Sequence, residues 1–320
     1  MNAEGSRRNA FDPELRAALA VLGGVFPPTV TPDLIEHMRR SYASPPREEL
    51  IAGRPIDVVD IELPGWGTTL EASIVTPREG RSGAGIVLLH SGGLMFGDRF
   101  SGADHALGWV VELGAVLLTV DYRLAPEHPH PIPFEDCYAA LEWFASQASS
   151  LAVRSDRILV AGASAGGGLA AGVALAARDR NGPVLRGQLL DYPMLDDRGL
   201  TPSTHAFDGV GVWDRISNET GWRALLGDAV GGPGVPTYAA PARAGDLSGL
   251  PSTFIDVGAA EIFRDEAVDY ARRLWEAGVD VELHVWPGAF HACDIFASHT
   301  SISRAMIRAR SDWLRRTLAD

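Results

Sequence analysis

The sharpest chemical signal in the chain is Gly162-Ala163-Ser164-Ala165-Gly166. An apolar run, 157–161, precedes it, and a helical stretch runs on to Arg178. A Gly-x-Ser-x-Gly turn between a strand and a helix holds a serine on a tight bend, where its hydroxyl can attack a carbonyl. Glycines on both sides are needed because bulk there would strike neighbouring backbone. A serine hydroxyl is a weak nucleophile, so a base must take its proton and an acid must orient the base. Both belong after later strands. Of the nine histidines, His291 best fits: it ends Trp286-Pro287-Gly288-Ala289-Phe290-His291, directly after the apolar run 279–285. The run 252–257 is followed by a loop, 258–266, that carries Glu261, Asp265 and Glu266. A fourth element is His90-Ser91-Gly92-Gly93, which closes the run 85–90. Its glycines can turn backbone N–H groups towards an oxygen that becomes negative during acyl transfer, and each such donor is worth about 2.7–4 kcal/mol.

These residues need a scaffold that delivers several loops to one edge. The sequence predicts two strands, 56–63 and 69–75, joined as a hairpin at Pro64-Gly65-Trp66-Gly67. Short, continuously apolar runs follow at 85–90, 115–120, 157–161, 187–190, 252–257 and 279–285. Helical stretches lie near 103–113, 134–148, 165–178, 264–277 and 302–318. Buried strands alternating with helices predict an α/β fold with a mostly parallel sheet covered on both faces. Residues 196–250 are longer than a crossover needs, and with 1–50 they are expected to form a cap over a catalytic domain spanning 51–320. At the N-terminus, Ser6-Arg7-Arg8 before Ala17–Phe26 faintly suggests a twin-arginine signal. Asp12-Pro13 with Leu15, Ala18, Leu19 and Leu22 reads better as an amphipathic helix.

One competing pattern shares the serine turn. Gly166-x-Gly168-x-x-Ala171 with Asp191 beyond it fits a loose dinucleotide fingerprint. It is set aside because its glycines fall inside the helix, whereas the first should follow the strand at once.

Taken together, the chain resembles the hormone-sensitive-lipase-like branch of the α/β-hydrolases, the bacterial family IV esterases, from about residue 10 to its end. Asp121-Tyr122-Arg123-Leu124-Ala125-Pro126-Glu127 adds to the resemblance. The resemblance implies an α/β-hydrolase fold with a helical cap, Ser164 as nucleophile, His291 as base and Glu261 as the acid, with Asp256 and Asp265 as alternatives. It implies oxyanion donors at the backbone of Gly92, Gly93 and Ala165, and pairing of two copies through the last strand and helix. Met95, Phe96, Phe207, Trp213, Trp222 and Cys293 are candidates for the substrate pocket. Three positions depart from the branch's usual pattern: Ser91 replaces a loop glycine, Ala163 replaces an aspartate or threonine, and Ala292-Cys293 replaces Gly-Phe. The expected reaction is ester hydrolysis, with a biosynthetic acyl transfer, cyclisation or dehydration on the same site, or a non-catalytic binding protein, as rivals.

Composition narrows the chemistry further. All 28 basic residues are arginine, so lysine Schiff bases, Walker lysines and Ser-x-x-Lys pairs are excluded. A net charge of −13 argues against a nucleic-acid partner. Two cysteines, Cys137 and Cys293, cannot make a disulfide framework or a four-ligand zinc site and suit a reducing, cytoplasmic setting. The mechanism calls for no metal or organic cofactor, the partner is a small-molecule ester, and no transmembrane span is expected.

Overall fold

The computed structural model describes residues 10–23 and 26–319. Ser6-Arg7-Arg8 lie outside the described residues. Among the described residues, eight strands form one sheet: β1 (Ile56–Gly65), β2 (Thr68–Pro77), β3 (Gly85–Leu89), β4 (Val116–Val120), β5 (Ile158–Ala163), β6 (Gly187–Asp191), β7 (Ser252–Gly258) and β8 (Val281–Trp286). Their order is β1-β2-β4-β3-β5-β6-β7-β8. The hairpin β1–β2 and the β2–β4 pair are antiparallel, and every other pairing is parallel.

The central strands are buried on both faces, which is why they read as unbroken apolar runs rather than alternating ones. Successive side chains still divide between two cores. Val87, Leu89, Val116, Leu118, Ile158 and Val160 pack into one; Ile86, Leu88, Leu117, Leu159 and Ala161 pack into the other. Helices seal each face. On the first side lie Phe134, Leu141 and Phe144 of α5 (Ile132–Ser146), the small, apolar α6 (Ala165–Asp179), and Tyr270 and Leu274 of α9 (Arg264–Glu276). On the second lie Leu107 and Val110 of α4 (Asp104–Leu113), and Trp313 and Leu314 of α11 (Ser301–Thr317).

Two further segments sit above the carboxyl edge of the sheet. The first contains α1 (Pro13–Leu22) and α2 (Ile35–Ser41); α3 (Arg47–Ile51), which leads into β1, instead packs Leu50 into the second core. Helix α1 starts at proline, and the Asp12 carboxylate accepts from the Glu14 N–H at its first turn. The second contains α7 (Pro202–Ala206) and α8 (Arg215–Leu226), and a single turn, α10 (Cys293–Phe296), follows His291. Thr29 donates to the Asp214 carboxylate at 2.6 Å, and the Val30 N–H donates to Ser217 Oγ at 2.8 Å, so the two segments are tied by polar bonds, the second of them buried.

Candidate active site

Ser164 stands between β5 and α6 with φ 56° and ψ −120°, a left-handed conformation that costs a non-glycine residue about 1–3 kcal/mol. The surroundings hold it there. Its N–H donates to the Asp191 carbonyl at 2.8 Å, and its carbonyl accepts from Gly168 and Met194, both at 3.0 Å. The flanking glycines are obligatory: a Cβ on Gly162 would lie 2.2 Å from the Gly166 carbonyl oxygen, and one on Gly166 would lie 2.1 Å from that of Leu89. This close packing also disposes of the dinucleotide reading, because Gly166 is spent on β3 and Asp191 is spent on Arg310, 3.0 Å away.

The loop after β8 brings His291 to the serine. Nε2 of His291 lies 2.9 Å from Ser164 Oγ, and Nδ1 lies 2.6 Å from Oε2 of Glu261. A carboxylate can only accept, so Nδ1 carries the hydrogen and Nε2 offers its lone pair to the serine hydroxyl. The other oxygen of Glu261 accepts from the Gly258 N–H at 2.8 Å, which fixes the carboxylate on the end of β7. Tyr192 and Phe263 present ring edges or faces to the imidazole at 4.9 and 5.1 Å, restricting its tilt. All three members of the relay are buried.

The loop after β3 turns through Gly92 at φ 127° and Gly93 at φ 59°. A Cβ on Gly92 would meet the Phe96 carbonyl oxygen at 1.9 Å, and one on Gly93 would meet the Trp213 ring at 2.2 Å. Among the described residues, neither glycine N–H has an acceptor. Ala165 is the first residue of α6, so its N–H has no partner inside the helix either. Ser164 and His291 open into a small cavity walled by Gly92, Gly93, Phe26, Met38, Tyr42, Ser91, Phe96, Val212, Trp213, Ala292 and Phe296. A hydroxyl aligned on an imidazole, next to free N–H groups and an apolar cavity, can carry out acyl transfer.

The family model for the α/β-hydrolase fold matches residues 86–295. The chain belongs to this family. It is 36% identical over 293 residues to the carboxylesterase NlhH of Mycobacterium tuberculosis, covering 89% of this chain and 90% of that protein. It is 35% identical over 258 residues to the esterase LipI of the same species, covering 79% of each. Among solved structures, a bacterial heroin esterase superposes with a TM-score of 0.88 at 35% identity, covering 98% of this chain and 99% of that one. The esterase LipW of Mycobacterium marinum superposes with a TM-score of 0.87 at 31% identity, covering 98% of each. These relatives place the chain in the hormone-sensitive-lipase-like branch of the α/β-hydrolases.

Against this α/β-hydrolase frame, most sequence-derived residues converge and some do not. Ser164, Glu261 and His291 meet. Asp256 and Asp265 do not reach the histidine: Asp256 is bound by Arg310 and Trp286, and Asp265 accepts from the Ser203 N–H. Of the pocket candidates, Phe96 and Trp213 are on the wall, whereas four are not. Met95 is fully buried in the core, Phe207 packs on Phe11, and Trp222 lines a separate apolar cavity behind Ala165. Cys293 lies 3.5 Å from Met306 Sδ, and burial pushes its thiol pKa well up, so it stays protonated.

Sequence reasoning missed the wall residues Phe26, Met38 and Tyr42, which all come from the N-terminal segment, as well as Val212 and Phe296. It also missed Arg310. This buried arginine pairs with Asp191, Asp256 and Asp294, beneath the three arms that carry Ser164, Glu261 and His291. Burial pulls its pKa down, but the three carboxylates outweigh that and hold it above the usual arginine range. The only available signal was an arginine at an otherwise apolar position of an amphipathic helix.

Proposed function

We propose that the chain is a serine carboxylesterase acting on short- to medium-chain or specialised small-molecule esters through an acyl-enzyme. The observation that carries the reading is the continuous contact from Ser164 through His291 to Glu261 beside acceptor-free N–H groups. His291 Nε2 takes the Ser164 proton as Oγ attacks the ester carbonyl. Glu261 keeps the hydrogen on Nδ1 and stabilises the imidazolium. The carbonyl oxygen, now negative, is held by the N–H groups of Gly92, Gly93 and Ala165. The tetrahedral species collapses, the alcohol leaves with the proton from His291, and a water activated by the same imidazole releases the acid. The carboxylesterase and esterase relatives support ester chemistry, and the aromatic wall of Phe26, Phe96, Trp213 and Phe296 favours modest acyl groups.

The segments 1–50 and 196–250 act together as a cap over this site, because both contribute to its wall and are bonded to each other. The buried free thiols Cys137 and Cys293 suit a cytoplasmic location. Strand β8 is a sheet edge, and we assign it to pairing with a second copy, which sedimentation would test. The hydrolytic reading is tested with p-nitrophenyl butanoate. Wild type should release nitrophenol, and Ser164→Ala should lower kcat by about 10^4-fold or more. Release that is independent of Ser164 would sink the assignment.

A further inference from the structure

Ser91 is the residue at which the oxyanion loop departs from the usual glycine, and its hydroxyl is engaged from an unexpected direction. Tyr42, at the end of α2, places its phenolic oxygen 2.7 Å from Ser91 Oγ. Both residues line the cavity that opens at Ser164. Apart from the Ser164–His291 pair, three of the described wall residues have polar side-chain atoms: Tyr42, Ser91 and Trp213. Among the described residues, no charged side chain lines it.

The hydrogen count in this corner is unbalanced. Two hydroxyls carry two hydrogens, and one is spent on the bond between them. Among the described residues, neither side-chain oxygen has a second partner, so one O–H remains to be donated. Burial pushes the Tyr42 phenol up to about 12, so it keeps its hydrogen at working pH. The Trp213 indole N–H is buried and has no acceptor among the described residues. The O–H left over by the Tyr42–Ser91 pair is the donor that a ligand oxygen in the cavity would engage. The surplus is therefore of donors, and no cation among the described residues lines the site to balance an anion.

We propose that the Tyr42–Ser91 hydroxyl pair recognises a neutral hydrogen-bond acceptor on the substrate, an ether, ketone or second ester oxygen close to the scissile bond. The proposal rests on the esterase reading and narrows it to oxygenated esters. A carboxylate would enter without a counter-charge, and a purely alkyl ester would leave the donors unpaired. The ring of Tyr42 is set independently of its hydroxyl, by edge contacts to Phe26 and Phe96 at 6.3 and 5.4 Å, so Tyr42→Phe removes the polar function and keeps the shape.

The test compares isosteric esters in which one methylene becomes an ether oxygen: p-nitrophenyl butanoate against p-nitrophenyl methoxyacetate for the acyl side, and pentyl acetate against ethoxyethyl acetate for the alcohol side. Intrinsic reactivity cancels when each variant is compared with wild type on the same ester. In Tyr42→Phe, Ser91→Ala and the double variant, kcat/KM for the ether ester should fall about five- to tenfold further than for its alkyl partner in one of the pairs, mainly through KM. The double variant should lose little more than either single one, because the two hydroxyls act as a unit. An unchanged ether-to-alkyl ratio in both pairs, with hydrolysis intact, overturns the recognition role. Absence of Ser164-dependent hydrolysis of every ester by wild type removes the esterase reading and this proposal with it.

Discussion

Glu261 illustrates how much a single side chain decides. It is one methylene longer than the aspartate common in this branch, yet one oxygen reaches His291 at 2.6 Å while the other stays on the Gly258 N–H. Glu261→Gln keeps the volume but can present an amide N–H to Nδ1, which would reverse the tautomer. We expect kcat to fall about 10^3- to 10^4-fold with the melting temperature little changed, measured by steady-state kinetics and thermal unfolding. Residues of this kind were legible in the sequence because their surroundings are local: the glycines flanking Ser164, the Gly92-Gly93 turn and the loop from β8 into His291 announce themselves by spacing. The acid was less legible. Glu261, Asp265 and Asp256 lie within a few positions of one another, and only the path of the chain after Gly258 shows which one turns back to the imidazole.

Helix α8 is the element on which the site leans. Its first turn is capped by Asp214, which accepts from the Ser217 N–H at 2.8 Å and also holds Thr29. Further along, Gly221 lies so close to the oxyanion loop that a Cβ there would be 2.9 Å from the Gly93 carbonyl oxygen. Cap, N-terminal segment and oxyanion loop are thus linked through one helix. Asp214→Ala should cost about 2 kcal/mol, the upper range for a lost helix cap, because it also orphans Thr29 and the Gly209 N–H. The same variant should lower kcat/KM for small esters, since Trp213 and Val212 precede the cap and wall the cavity. Denaturant titration and kinetics together check both effects. Nothing in the sequence announced this linkage. Residues 29 and 214 are joined by two side chains whose types, threonine and aspartate, are ordinary loop residues, and cap segments lack the strict periodicity that marked the sheet and its helices.

At the scale of the whole molecule, the sheet was readable and its electrostatic keystone was not. The eight strands follow the two expected hairpin strands and the six apolar runs within a residue or two; β8 starts at Val281, after Gly278, at φ 80°, has closed the turn from α9. Arg310 is different, because its meaning depends on three aspartates drawn from β6, β7 and α10. Burial pushes Asp191 and Asp256 up, against the pull of Arg310. Removing the guanidinium would leave buried carboxylates uncompensated, so Arg310→Met should destabilise the fold by about 3–5 kcal/mol, read from urea unfolding. The fold brings Ser164, His291 and Glu261 together, and the most direct test of the proposed nucleophile is to ask which residue becomes covalently modified. After treatment with a fluorophosphonate, peptide mapping should find one adduct per chain, on Ser164, absent in Ser164→Ala and formed far more slowly in His291→Ala. A chain left unlabelled, or labelled at a residue other than Ser164, would contradict the account.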